Sequence, residues 1–282
     1  MVMNHQRQQR LKPLLDKVPP GCLVDTRWLK AQSIDAKSIH NYVARGWLER
    51  LIRGVYRRPL PEGVAAQPVV SWVSTLLSLQ WIMQYDVHLG GLSALNLAGH
   101  AHYLYLGQTP RVHVYGDTPA WLKRLPTDTP IDVHQRTLFG DDPTGIVDAD
   151  QDNLPSNQPM NAWRWPLKVS SPERAVLEAL DRLPSDTSFS HMDKIFESLT
   201  TLRPRQLMKL LVTCRRVKVR RLFFVFADRH QHAWRKHLDT DQIDFGTGPR
   251  ALVEGGKLHP TYRIYVPRAF VHENNTEPEA HG

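Results

Sequence analysis

Residues 35–58 read DAKSIHNYVARGWLERLIRGVYRR. Asp35 is a favourable N-cap and predicts a helix over residues 36–45. Gly46 ends this helix, because glycine takes the left-handed conformation of a helix C-terminus without strain. Two short apolar segments then flank Gly54, and this pattern predicts a β-hairpin with an arginine at its turn.

The residues before this stretch predict two further helices and a short strand. Apolar residues at helical spacing indicate a helix over residues 7–18, and residues 22–24 form an apolar run typical of a strand. Asp25 or Thr26 can cap a second helix over residues 27–32. The order helix, strand, helix, helix, hairpin is that of a winged helix-turn-helix, whose last helix enters the major groove of DNA while the hairpin, or wing, contacts the backbone.

The helix over residues 36–45 has an apolar face and a polar face. Ala36, Ile39 and Val43 are predicted to be its buried stripe. The polar face and the wing supply side chains of the types that contact phosphates, guanine and adenine. We expect the following residues to bind DNA: Lys37, Ser38, His40, Asn41, Arg45, Arg50, Arg53 and Arg57.

The net charge of +8 is concentrated in the predicted winged helix. Residues 1–58 carry twelve Lys and Arg against four acidic residues, and the charges of the rest of the chain balance. This excess predicts a polyanionic partner, most simply double-stranded DNA.

The sequence predicts an α+β fold with a winged helix-turn-helix over residues 1–58 and a larger mixed α/β domain over residues 64–282. The Pro- and Gly-containing residues 59–63 are the predicted linker. Residues 141–159 contain five aspartates and no Lys or Arg, and we expect a solvated, flexible loop there. Apolar spacing in the second domain predicts helices over residues 71–84, 174–183, 191–199 and 203–215 and strands over residues 111–115, 131–134 and 263–266.

The sequence carries none of the motifs that indicate catalysis or a bound cofactor. It has no phosphate-binding glycine loop, nucleophile elbow or paired-cysteine metal site. Two groups of histidines resemble metal ligands in spacing but are expected to be structural or surface residues: His100 with His102, and His230 with His232 and His237. We therefore expect no catalytic residue, no cofactor and no metal. The polar N-terminus and two distant cysteines predict a cytoplasmic protein with no membrane partner.

Four parts of the chain share a pattern with known proteins. They are GWLERLIRGVYRRP at residues 46–59, GGLSAL at 90–95 with HAHYL at 100–104, VSSPERA at 169–175, and VEGGKLHPTY at 253–262 with Val266 and Pro267. In this collinear order they resemble the AbiEi family of bacterial antitoxins over nearly the whole chain. Residues 127–161 have no counterpart in the family pattern.

The resemblance implies an antitoxin of a type IV toxin–antitoxin system. Such a protein represses its own operon through the winged helix, which binds inverted repeats of operator DNA, often cooperatively. Its second domain opposes a co-encoded nucleotidyltransferase-like toxin without requiring a stable complex. The resemblance thus implies two partners, operator DNA and a toxin, and no enzymatic activity.

A second basic stretch lies between residues 203 and 237, where eleven Lys and Arg accompany one acidic residue. It is either a solvated helix face or a second surface that binds nucleic acid or opposes the toxin. The candidate residues of such a surface are Arg203, Arg205, Lys209, Arg215, Arg216, Lys218, Arg220 and Arg221.

Two other functions stay open at this point. A DNA-processing enzyme would use the winged helix for targeting and would need acidic residues, such as Asp132, Glu178 and Asp181, to converge in a cleft. A ligand-sensing transcription factor would need an enclosed apolar pocket in the second domain.

Overall fold

The computed structural model describes residues 14–61, 69–100, 110–149 and 165–271. The predicted first helix begins outside these residues, and its described end is helical over residues 14–17. The predicted linker lies partly outside them as well.

The N-terminal elements follow the predicted order. They are β1 (Leu23–Asp25), α1 (Thr26–Ala31), α2 (Ala36–Ala44), β2 (Glu49–Ile52) and β3 (Val55–Arg57). The three strands form an antiparallel sheet in the order β1-β3-β2. This arrangement is the winged helix-turn-helix that the sequence predicts, with β2 and β3 as the wing.

Both helices of the motif begin at the predicted aspartates. The carboxylate of Asp25 accepts a hydrogen bond from Trp28 N at 2.8 Å, and that of Asp35 accepts one from Ser38 N at 2.7 Å. Gly46 follows α2 with a φ of 71°, a backbone conformation that favours glycine. An N-cap of this kind stabilises its helix by about 1 kcal/mol.

A five-stranded mixed sheet follows the wing in the chain. Its elements and the helices between them are α3 (Trp72–Leu77), β4 (Val87–Leu89), α4 (Gly91–Leu97), β5 (Val112–Gly116), β6 (Ile131–His134), β7 (Ile146–Ala149) and β8 (Leu167–Ser170). The strand order is β6-β5-β4-β8-β7, with β5–β6 and β4–β8 parallel. The predicted strands over residues 111–115 and 131–134 correspond to β5 and β6. The short central strand β4 was not predicted.

The predicted acidic loop is in part a strand. Ile146–Ala149 forms β7 at the edge of the sheet, where Val147 pairs with Val169 of β8. The prediction was wrong here because the aspartate content outweighed the two adjacent β-branched residues, which favour a strand. Residues 150–159 lie outside the described part of the chain.

Four helices dominate the C-terminal part. They are α5 (Pro172–Asp181), α6 (Phe189–Ser198), α7 (Pro204–Thr213) and α8 (Val217–His230), and a two-stranded sheet of β9 (Lys257–Leu258) and β10 (Tyr265–Val266) follows. The apolar run of α8, residues 222–226, is buried. Phe223 and Phe226 pack on Phe196, with ring centroids 5.6 and 4.9 Å apart.

The chain forms two compact units. The first comprises Met1–Ala98, Tyr105–Arg136 and Ile146–Ser171, and the second comprises Gly99–Leu104, Thr137–Gly145 and Pro172–Gly282. This division does not follow the predicted boundary at residues 59–63. The winged helix and the five-stranded sheet share a unit, in which Leu23 N of β1 donates to Ser78 Oγ, just after α3, at 2.9 Å.

Candidate nucleic-acid interface

The buried side of α2 differs in one position from the prediction. Ile39 and Tyr42 are buried, with 5 % and 4 % of their surface exposed, and Val43 is half-buried. Ala36 is exposed, because it is the first residue of the helix and lies beyond the core. Tyr42 takes its place and packs on Trp47, with ring centroids 5.6 Å apart.

The opposite side of α2 presents the predicted polar residues. Lys37, His40 and Arg45 are exposed, and Ser38 and Asn41 are half-buried. The guanidinium of Arg45 lies 5.2 Å from the ring centroid of Trp47, which limits its rotation. The helix therefore presents hydrogen-bond donors on the side away from the core, and the contact with Trp47 restrains Arg45 among them.

The wing tip is held by the start of α1. Gly54 occupies the turn with a φ of 82°, and its carbonyl accepts hydrogen bonds from Thr26 N at 2.9 Å and Thr26 Oγ1 at 3.2 Å. Arg50 and Arg53 are exposed on the wing. These bonds fix the wing relative to the helix-turn-helix.

Arg57, expected to bind DNA, is instead part of the internal structure of the wing. Its side chain is 8 % exposed, and its Nε and Nη2 donate to Glu49 Oε2 at 3.0 and 2.7 Å. Glu49 and Arg57 are paired residues of β2 and β3, so the ion pair stabilises the hairpin. We therefore remove Arg57 from the candidate DNA-binding residues.

Asp25 has a second role that the sequence did not reveal. Besides capping α1, its buried carboxylate accepts hydrogen bonds from Tyr85 Oη at 2.8 Å and Trp121 Nε1 at 3.1 Å. Burial and the bond to Asp25 raise the pKa of Tyr85, so its hydroxyl stays protonated and donates at neutral pH. Asp25 thus joins the winged helix to two later parts of the same unit.

A groove of about 1130 Å³ lies beside the wing tip. We call it the wing groove. The winged helix contributes Arg27 and Arg53 to its lining, and later segments contribute Tyr85, residues 116–121, Lys123 and Arg124. It is open to solvent and several charged side chains line it, so it is not the enclosed apolar pocket that a ligand-sensing factor predicts.

The second basic stretch does not form one continuous surface. Arg221 is 1 % exposed and donates to the carbonyl groups of Phe245, Gly246, Gly248 and Arg263. Arg220 is buried, and Lys218 Nζ donates to Asp181 O at 2.7 Å and Leu183 O at 2.9 Å. These three residues stabilise the fold and are unsuited to bind a partner.

The other five candidate residues of this surface are exposed. Arg203 makes a bidentate ion pair with Glu173, and Arg216 lies 3.4 Å from Asp181 Oδ1. Arg205, Lys209 and Arg215 are the other three exposed candidates. The predicted second surface is therefore reduced to these five side chains, two of which are already paired.

The acidic residues that a nuclease would need are held by arginines. Glu178 accepts from Arg174 Nε at 2.9 Å inside the second unit. Asp132 pairs with Arg111 in the first unit, and the hydrogen bond from Arg111 lowers the pKa of Asp132. Since each carboxylate has an arginine as its partner, neither is arranged as a free metal ligand or general base.

Two of the histidines singled out in the sequence, His230 and His232, make structural contacts. His230 Nε2 lies 2.7 Å from Asp193 Oδ1, and His232 Nε2 lies 2.7 Å from Phe196 O. Both contacts connect the end of α8 and the residues after it to α6.

Within the described residues no helix is long and apolar enough to cross a membrane.

The helix-turn-helix, its polar second helix and the wing define a winged-helix protein of the transcriptional-regulator class. Residues 7–106 match the family model described as transcriptional regulator, AbiEi antitoxin N-terminal domain, and residues 109–267 match the model described as transcriptional regulator, AbiEi antitoxin, type IV TA system. The chain therefore belongs to the AbiEi family of antitoxin transcriptional regulators, and the resemblance seen in the sequence is confirmed.

One solved structure supports the same fold. The crystal structure of the RV2827C protein from Mycobacterium tuberculosis matches with a TM-score of 0.50 at 17 % identity, over 86 % of this chain and 85 % of that chain. No curated protein sequence matches the chain.

Proposed function

We propose that this protein represses its own operon by binding operator DNA through α2 and the wing. The exposed polar face of α2, opposite the buried Ile39 and Tyr42, is the observation that carries the proposal. A helix with this division of faces, followed by a rigid basic wing, has the arrangement that enters the major groove in winged-helix complexes.

In this proposal α2 reads the bases and the wing holds the backbone. Asn41 can pair with adenine through two hydrogen bonds, and Lys37 and Arg45 can contact guanine or phosphate. Arg50 and Arg53 bind phosphates, which adds affinity without sequence preference. Ser38 and His40 lie at the edge of the same face. Binding of inverted repeats by two copies, with cooperative self-association, would exclude polymerase from the promoter.

Two substitutions test this division of roles. Asn41→Ala is expected to lower the preference for operator over shuffled DNA by about 1–3 kcal/mol. Arg53→Ala is expected to weaken binding to all sequences alike and to flatten the salt dependence by about one unit. Both are measured by fluorescence anisotropy on duplexes from the DNA upstream of the chain's own reading frame.

Asn96→Ala is the matched control, because Asn96 is a half-buried residue of a helix outside the winged helix. It should leave the ratio of the two dissociation constants unchanged. Unchanged selectivity in Asn41→Ala at fixed salt would refute the assignment of α2 as the reading helix.

We further infer that the chain opposes a nucleotidyltransferase-like toxin encoded beside it, which rests on the family membership. Deleting residues 1–63 is a poor test of this second role. The deletion removes the partners of Ser78 and Tyr85, which are Leu23 N of β1 and the Asp25 carboxylate. The double variant Asn41→Ala/Arg53→Ala keeps these contacts. It should lose repression of a promoter reporter while still rescuing growth in cells that express the toxin. Loss of both functions in the folded variant would contradict separate roles.

A further inference from the structure

The wing groove carries an excess of positive charge, which comes from residues that are far apart in the sequence. Arg27, Arg53, Lys123 and Arg124 line it and are all exposed. Arg53, Lys123 and Arg124 make no ion pair with any residue that the structure describes. A polyanion could therefore contact them without breaking an internal salt bridge.

The acidic residues of the groove are offset in part by a further arginine, Arg136. Asp86 and Asp117 both lie within ion-pair distance of Arg136, at 2.5 and 3.4 Å. Asp25 is buried and accepts three hydrogen bonds. With Arg136, the cations of the groove therefore outnumber its three carboxylates, and the net charge at its mouth is positive.

The cations from outside the winged helix are fixed relative to it. Lys123 and Arg124 belong to a 3-10 turn, Leu122–Arg124, which directly follows Trp121. Trp121 Nε1 donates a hydrogen bond to Asp25, which is the N-cap of α1. Thr26, the first residue of α1, donates to Gly54 O at the wing tip. This chain of contacts places the turn and the wing in one rigid arrangement.

We propose that the wing groove binds the phosphate backbone of the DNA that flanks the half-site on the side of the wing, with Lys123 and Arg124 each contacting a phosphate. The proposal rests on the proposed DNA-binding function and extends the interface beyond the winged helix. Arg53 belongs to both surfaces, so a backbone held at the wing tip continues into the groove.

Two observations favour DNA over a small phosphorylated ligand. The groove, at about 1130 Å³, is larger than a typical small-molecule site. Its cations are exposed, and the buried polar side chain at its base, Asp25, is an anion that would repel a phosphate placed deep inside. A backbone crossing the outer rim meets the cations and avoids Asp25.

The test compares Lys123→Gln/Arg124→Gln with wild type on two duplexes. The short duplex ends at the half-site, and the long one extends by about one helical turn (~10 bp) on the wing side. On the long duplex the salt slope of the variant should be shallower by about 1.8 units, because each lost phosphate contact removes about 0.9. Between about 0.1 and 0.4 M salt, wild type should then lose about 12-fold more affinity than the variant. On the short duplex the slopes should agree.

Lys236→Gln/Arg268→Gln is the matched control, since it removes two exposed cations from 3-10 turns of the second unit. It should behave as wild type on both duplexes. Equal slopes of wild type and Lys123→Gln/Arg124→Gln on the long duplex would overturn the proposal, as would an equal loss on both duplexes. Wild-type protein that shows no preference for operator DNA would instead overturn the proposed function itself.

A calorimetric titration with ATP tests whether the wing groove binds the phosphates of a free nucleotide instead of those of DNA. We expect no ATP binding by wild type. Saturable binding of ATP that Lys123→Gln/Arg124→Gln abolishes would reassign the groove to a nucleotide and overturn the proposal.

Discussion

Replacing Asp25 should destabilise the first unit far more than loss of a helix cap does. Asp25→Ala removes the cap of α1, which contributes about 1 kcal/mol. It also leaves Trp121 Nε1 and Tyr85 Oη without their acceptor. An unsatisfied buried donor costs about 1–3 kcal/mol, and the half-buried Tyr85 falls at the low end because water can reach it. The expected loss is about 3–5 kcal/mol in the free energy of unfolding.

Asp35→Ala provides the matched control. Asp35 caps α2 through the same type of bond, yet it is exposed and its substitution should cost only about 1 kcal/mol. Urea unfolding of the full chain measures both losses, and hydrogen exchange in peptides covering β1 and α1 shows where protection falls. If Asp25→Ala proved no more destabilising than Asp35→Ala, the reasoning about Tyr85 and Trp121 would be refuted.

Two further predictions concern buried groups of the fold. Arg221→Lys should lower the free energy of unfolding, measured by urea denaturation, by about 3 kcal/mol. One ammonium group cannot reach all four carbonyl groups that the guanidinium contacts, so some of them are left buried and unpaired. Equal stability of the variant and wild type would contradict the role of Arg221 in satisfying these carbonyl groups. Burial raises the pKa of Cys22 to about 12 and that of Cys214 to about 11, so both thiols stay protonated near pH 8 and iodoacetamide should modify them only after unfolding. Rapid alkylation of the folded chain, followed by mass spectrometry, would contradict the burial of either thiol.

The winged helix could be predicted because its signals are local. The caps at Asp25 and Asp35, the glycine after α2 and the turn at Gly54 all act within a few residues of the elements they define. Tyr42 was missed because its phenol ring is amphipathic, and only the contact with Trp47 shows which way it faces.

The second role of Asp25 and the burial of Arg57 depend on tertiary structure. Tyr85 and Trp121 lie 60 and 96 residues beyond Asp25, and no local pattern connects them. Arg57 was grouped with Arg50 and Arg53 because all three lie on the predicted wing. The pairing of β2 with β3 places it opposite Glu49 on the covered side of the hairpin, which the alternation of a strand allows but does not specify.

Charge along the chain and charge on the surface are separate properties here. The basic stretch after residue 203 precedes a long segment, residues 231–271, that has little regular structure and therefore many carbonyl groups without helix or sheet partners. Arginine, with five donors, satisfies several such groups at once, as Arg221 does. The cations of the wing groove instead come from positions 27, 53, 123 and 124, where no local enrichment marks Lys123 or Arg124. A run of basic residues beside irregular backbone is thus as consistent with internal hydrogen bonding as with a nucleic-acid site, and exposed cations without ion-pair partners are the better guide to a bound polyanion.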